Sequence, residues 1–136
     1  MNIFYDTIIL IPAVAFVFSV VFKGVIIKTV SGKWNLERSL WSGGMPSVHS
    51  SVVVSLATAF ALKFWVHSDL FAIVMWFTVI IIYDAINVRY EAGLHAKMIN
   101  ERLGEKKLKE SLWHLPSEAF AGSLLGIIVA VALYYV

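Results

Sequence analysis

The arrangement of apolar residues constrains this chain more than any motif does: they run in long blocks, and charged residues fall in bursts between the blocks. A soluble enzyme alternates apolar and polar residues at helical or strand period, and a disordered tail lacks the apolar residues altogether. Neither pattern is present. Hydrophobic residues make up 60% of the chain, charged residues 15%, and the mean hydropathy is +0.80, far above globular usage. The chain therefore reads as an integral membrane protein, and its 136 residues as a single domain, 1–136. It has no cysteine, which excludes disulfides, thiol catalysis and cysteine-bound metal. A net charge of +2 is too small to point to nucleic acid.

Crossing a hydrocarbon core of about 30 Å takes roughly 20 mainly apolar residues in a helix. Four segments meet or approach that length, at 3–22, 47–66, 70–88 and 114–136, so the expected fold is an all-α bundle of four transmembrane helices. The first opens with Asp6 and no basic run, and reads as a retained span, with Pro12 expected to kink it. Four spans put both termini and the 63–69 turn on one face and the segments 23–46 and 89–113 on the other. Ten of the 11 lysines and arginines lie in those two segments, with Lys63 alone opposite. The positive-inside rule then places both long loops in the cytoplasm and both termini outside, and the expected setting is the plasma (inner) membrane of a bacterium or archaeon. Segment 89–113 mixes charges with Leu94, Met98, Ile99, Leu103 and Leu108, which suits an interfacial cytoplasmic helix; a solvated loop that only sets topology fits the same residues.

Almost every polar residue of unusual character sits at the cytoplasmic end of a span. Lys23 closes the first, Gly43 to His49 opens the second, Asp84 and Arg89 end the third, and His114 to Glu118 opens the fourth. Gly43 and Gly44 permit positive φ, and Pro46 belongs in a first helical turn, so a helix N-terminus with an anion-binding character is expected there, with His49 one turn inside. A glycine turn capping a span, with a histidine held by a neighbouring helix, is the plainer alternative. On the fourth span, Pro116 again marks a first turn, and a helix begun by His114 sets His114 and Glu118 at i and i+4. The carboxylate can then hold one imidazole nitrogen protonated while the other acts as nucleophile or base. An interfacial ion pair is the alternative. Two histidines at adjacent helix starts, with Lys23, Arg38 and Arg89 on the same face, favour phosphate chemistry.

His67 falls on the opposite face and His95 in the charged loop, and neither is expected in the site; the four histidines lack the spacing of a zinc site. Asp84 is an acid near the end of a span and so a functional or paired residue by default. A continuous α-helix turns about 140° from Asp84 to Arg89, which disfavours a direct pair and leaves Lys23 or His49 as its partner. Gly122, Gly126 and Ala130, spaced at i+4, form a small-residue face that seats the fourth span in the bundle and does not define an oligomer.

Three ordered motifs carry a family resemblance over nearly the whole chain. They are Gly43-Gly44-Met45-Pro46-Ser47-Val48-His49-Ser50, then Tyr83-Asp84-Ala85 through Val88-Arg89 with Gly93, Ala96 and Asn100, and His114-x-Pro116-x-Glu118 followed by Gly122 and Leu125-Gly126. Together they resemble the divergent branch of the type 2 phosphatidic acid phosphatase superfamily, which is related to acid phosphatases and vanadium haloperoxidases. The resemblance implies a metal-independent membrane lipid phosphate phosphatase without cofactor, acting on a terminal phosphomonoester such as that of phosphatidylglycerophosphate, phosphatidic acid or a prenyl phosphate. It implies His114 as the nucleophile that becomes phosphohistidine, Glu118 as its orienting acid and His49 as the proton donor to the leaving oxygen. Gly44, Ser47, Lys23 and Arg89 would hold phosphate, with Arg38 standing in for a further arginine of the first motif. Val48 replaces the glycine usual before the histidine, and Arg89 stands 25 residues before His114, so its place in the site depends on the loop folding back. A phosphotransferase using the same histidine, and a non-catalytic protein binding anionic lipid, are the competing functions.

Overall fold

A computed structural model describes residues 3–34, 39–40, 43–111 and 113–136 of the chain. The described residues are helical with no strand. After the single turn α1 (Ile3–Asp6) come α2 (Leu10–Ser31), α3 (Val48–Phe64) and α4 (Asp69–Tyr83). A π-helical segment, Asp84–Val88, joins α4 to α5 (Arg89–Leu103), and α6 (Pro116–Tyr135) ends the chain. Among the described residues three helical stretches are long and apolar enough to cross a membrane: Leu10–Ser31, Asp69–Leu103 and Pro116–Tyr135. The apolar helix α3 is shorter, at 17 residues.

Each boundary has a local cause. In α2, Pro12 lies in the first turn, where a missing N–H costs nothing, so it starts the helix and does not kink a span. The helix continues well past residue 22, because Gly24 to Val30 is apolar apart from Lys28 and Thr29, and it stops at Gly32, whose φ of 73° allows its N–H to bond Lys28 O at 2.8 Å. Lys23 therefore lies inside a helix and does not close one. Ser47 caps α3 and Ser68 caps α4, each accepting from the backbone N–H three residues on. Pro46 accordingly precedes the cap of α3 and is not in its first turn. The segment 89–103 does form a helix, but it continues the third apolar stretch without a break, giving 35 residues or about 52 Å at 1.5 Å per residue.

Helix α3 is the centre of the bundle and packs on α2, α4 and α6; no comparable packing joins α2 to α4. The buried faces are small or polar: Ser50, Ser51, Ser55, Ala57 and Ala59 on α3, and Ala119, Gly122, Gly126 and Ala130 on α6. Large apolar residues such as Phe18, Phe22, Ile73, Trp76 and Ile128 point outward. In lipid this inversion is expected, since close backbone approach and satisfied polar groups hold helices together where apolar transfer does not. A Cβ on Gly122 would collide with Ser47 O and one on Gly126 with Ser51 O, so the small-residue face is what lets α6 lie against α3. Helix α4 buries only Thr78, whose hydroxyl lies 3.2 Å from Val53 O on α3.

Candidate functional site

The π-helical turn and the loop that returns to it place the first histidine. Across Asp84–Val88 the Arg89 N–H bonds Asp84 O, not Ala85 O as an α-helix would require. The Ala85 carbonyl instead accepts the His114 N–H at 3.1 Å. The wider turn also brings residues five apart into register, so Arg89 Nε meets Asp84 Oδ2 at 2.9 Å. The pair that α-helical geometry disfavours is thus present. This ion pair is more than a third exposed, so it orients Arg89 more than it stabilises the fold.

The return loop is pinned by a residue the sequence analysis placed only in a motif. Asn100, 4% exposed, donates from Nδ2 to Leu108 O and Glu110 Oε1, both at 2.9 Å. Its Oδ1 accepts from Lys107 N–H and Leu108 N–H. Gly93 and Ala96 share the buried face, and a Cβ on Gly93 would strike Glu110 O. Tyr90 and Trp113 then meet edge to face at 5.1 Å. These contacts carry the chain from the far end of α5 back to Ala85. The signal that marks them is a face of small and polar residues, 93, 96 and 100, on a helix otherwise rich in charge.

Glu118 ties the first and third motifs together. Its Oε2 accepts from Leu115 N–H at 3.0 Å and Gly44 N–H at 3.2 Å, and lies 3.1 Å from His114 Nδ1. Its backbone carbonyl takes the Ser47 N–H. Helix α6 begins at Pro116, after His114, so the histidine and carboxylate meet because Glu118 reaches back over the helix start, not because they share a helical face. Burial holds the His114 pKa below the ordinary histidine value; the bond to Glu118 opposes that shift, and the charges of Lys23 and Arg89 add to it.

The His49 ring stands edge-on to His114, with centroids 5.9 Å apart. Lys23 is 2% exposed, and its side chain passes the Gly44 backbone. Two expected phosphate contacts are otherwise engaged. Gly44 does adopt positive φ (118°), but its N–H goes to Glu118. Ser47 is wholly buried, with Oγ bonded within the first turn of α3 and its N–H spent on Glu118 O, so it is a cap and a strut. Arg38 lies outside the described residues. His67 and His95 are exposed. Among the described residues no three His, Asp or Glu side chains gather as a metal-ligand set.

Residues 4–129 match the sequence profile of the Divergent PAP2 family. The chain is also 39% identical over 143 aligned positions to an uncharacterized membrane protein of Bacillus subtilis (strain 168), YuiD, with 89% of each chain covered. No solved structure matches it. A profile match that runs from the first turn to the last helix, and through all three motifs that meet at His114 and Glu118, places this membrane protein in the Divergent PAP2 family.

Proposed function

We propose that the protein is a membrane lipid phosphatase that removes a terminal phosphate through a phosphohistidine on His114. The observation that carries this reading is the bond from His114 Nδ1 to Glu118, beside the His49 ring and between the charges of Lys23 and Arg89. With Nδ1 held as the donor, the lone pair lies on Nε2. Nε2 attacks phosphorus, the P–O ester bond breaks with its electron pair on the lipid oxygen, and His49 gives that oxygen its proton. Water then attacks the phosphohistidine, loses its proton to His49 and returns the electron pair to Nε2. Glu118 stabilises the imidazolium formed in between, and Lys23 with the terminal nitrogens of Arg89 holds the phosphoryl oxygens. Phosphatidylglycerophosphate, phosphatidic acid and prenyl phosphates are the candidate substrates, and the bilayer delivers them laterally.

Rapid-quench trapping with a radiolabelled lipid phosphate tests the reading. Wild-type protein forms acid-labile phosphohistidine, His114→Ala forms none, and His49→Ala slows transfer by roughly a hundred to ten thousandfold. Wild-type hydrolysis by His114→Ala removes the reading. No step uses a metal, so activity persists in EDTA.

The site is assigned to the cytoplasmic face of the plasma membrane, with four helices crossing and α5 lying at the interface, where Leu94, Met98 and Leu103 are exposed among its charges. Single cysteines at Ser31, His67 and Ser111 report this. Position 67 reacts with an impermeant thiol reagent from outside and the other two only from the cytoplasm; the reverse pattern inverts the assignment.

A further inference from the structure

Helices α2 and α4 flank α3 without packing on each other, and the gap between them is a cavity of about 550 Å³. Its floor is the face of α3 that carries His49, Val52 and Leu56; Phe16 of α2 and Phe77 of α4 form its walls. Among the described lining residues His49 and Arg89 are ionisable, and the others are apolar. From His49 to Leu56 is seven residues of helix, so the apolar trough runs about 10 Å from the proposed chemistry toward the middle of the bundle. The volume falls in the range of small-molecule sites.

We infer that this trough binds one hydrocarbon chain of a lipid phosphate, with the phosphate at Arg89 and His49, and that Leu56 and Phe77 set how long a chain is accepted. The inference rests on the proposed function for the identity of the head group. Two features select this occupant. A trough that is apolar along its length and cationic at one end matches an amphiphile with an anionic head. The gap opens between two helices whose outer faces are apolar, Phe16 and Phe77 included, so a chain can enter from the bilayer without passing through water. The trough holds a single chain; the second chain of a diacyl substrate stays in the bilayer.

The test uses hexadecyl phosphate with a diazirine at mid-chain, level with Leu56 when the phosphate sits at His49, on the full chain in detergent micelles. Photolysis labels the peptides bearing Leu56 and Phe77, and unlabelled hexadecyl phosphate competes more strongly than hexadecanol. Leu56→Trp fills the lower trough. It raises KM for hexadecyl phosphate about tenfold or more and abolishes the label, and it raises KM for butyl phosphate, whose chain ends above Leu56, by far less. Phe77→Ala widens the trough and shifts preference toward branched prenyl phosphates. Labelling of the trough without hydrolysis of any phosphate upholds the chain site and removes the catalytic reading. Hydrolysis with label only on outer faces, or an unchanged KM in Leu56→Trp, overturns the chain site and leaves the chemistry standing.

Discussion

At one end of the bundle Ile11, Ala59 and Ala130 meet with no exposed surface, and Phe4, Ile8 and Leu133 close around them. At the other end the same three helices, α2, α3 and α6, meet through Lys23, His49 and Glu118. The first junction is dry and held by dispersion between close-packed carbon. The second is held by directed bonds: Glu118 alone joins the start of α6 to Gly44, Leu115 and His114 through its side chain and to Ser47 through its carbonyl. The contrast teaches how one bundle separates stability from chemistry. Charge and hydrogen-bonding capacity are costly in a low-dielectric surrounding and persist where every member has a partner or a task.

The sharpest way to break this comparison is to cut each end separately. Ile11→Ala opens a cavity at the dry end and costs about 2–4 kcal/mol, read by thermal unfolding in detergent, while activity per folded molecule is unchanged. His114→Ala reverses the result: activity is lost, and stability falls by less than the Ile11 change. A site mutation that unfolds the protein, or a far-end mutation that lowers kcat in folded protein, would falsify the division.

A smaller effect is expected at the carboxylate. Glu118→Gln keeps an oxygen for the Gly44 and Leu115 N–H groups, so the fold survives, but it removes the charge that stabilises the His114 imidazolium; kcat falls about a hundredfold. The pH profile carries the sign. Because burial lowers the His114 pKa, the ring stays neutral below the ordinary value of about 6.5, and the acid limb of kcat/KM lies below that pH. The same shift makes the folded state take up its proton later than the unfolded one. Its contribution to stability is complete above about pH 6.5 and is lost as pH falls toward the folded value. Glu118 opposes the lowering, so Glu118→Gln moves the limb further to acid. A limb that moves to higher pH contradicts the geometry.

The smallest effect is at the return loop. Asn100→Leu removes the partner of the Leu108 N–H and carbonyl and one of the two acceptors of the Lys107 N–H, which keeps Glu105 O, at a local cost of about 1 kcal/mol. Amide exchange at Lys107 and Leu108 quickens, kcat drops about tenfold because His114 is held less firmly, and the far end keeps its protection. Unchanged exchange at those two amides would show that the clasp is not what holds the loop.

Much of this was readable from residue order. The apolar blocks mark the helices, and the spacing of His114 and Glu118 singles out that pair, although the two meet across a helix start and not on one helical face; the caps Ser47 and Ser68 and the stops at Gly32 and Gly104 emerged from the structure. The reading went astray where helical geometry departs from the α period. Asp84 and Arg89 pair across a π turn, and no residue in Asp84–Val88 signals that turn by itself. Lys23 looked like a helix end because a lone charge in an apolar run usually is one; here the site meets it inside α2.

The sequence by itself determined the solvent of this protein and that it is built of helices, because transfer of apolar side chains and backbone hydrogen bonding within a helix are local properties of the chain. Tertiary structure decided which polar groups share a site. That choice needed Gly122 to let α6 settle under Ser47, Asn100 to bring residues 107–110 back along α5, and the Ala85 carbonyl to receive His114. Each depends on two segments far apart in sequence arriving at one place, and no local pattern encodes that meeting.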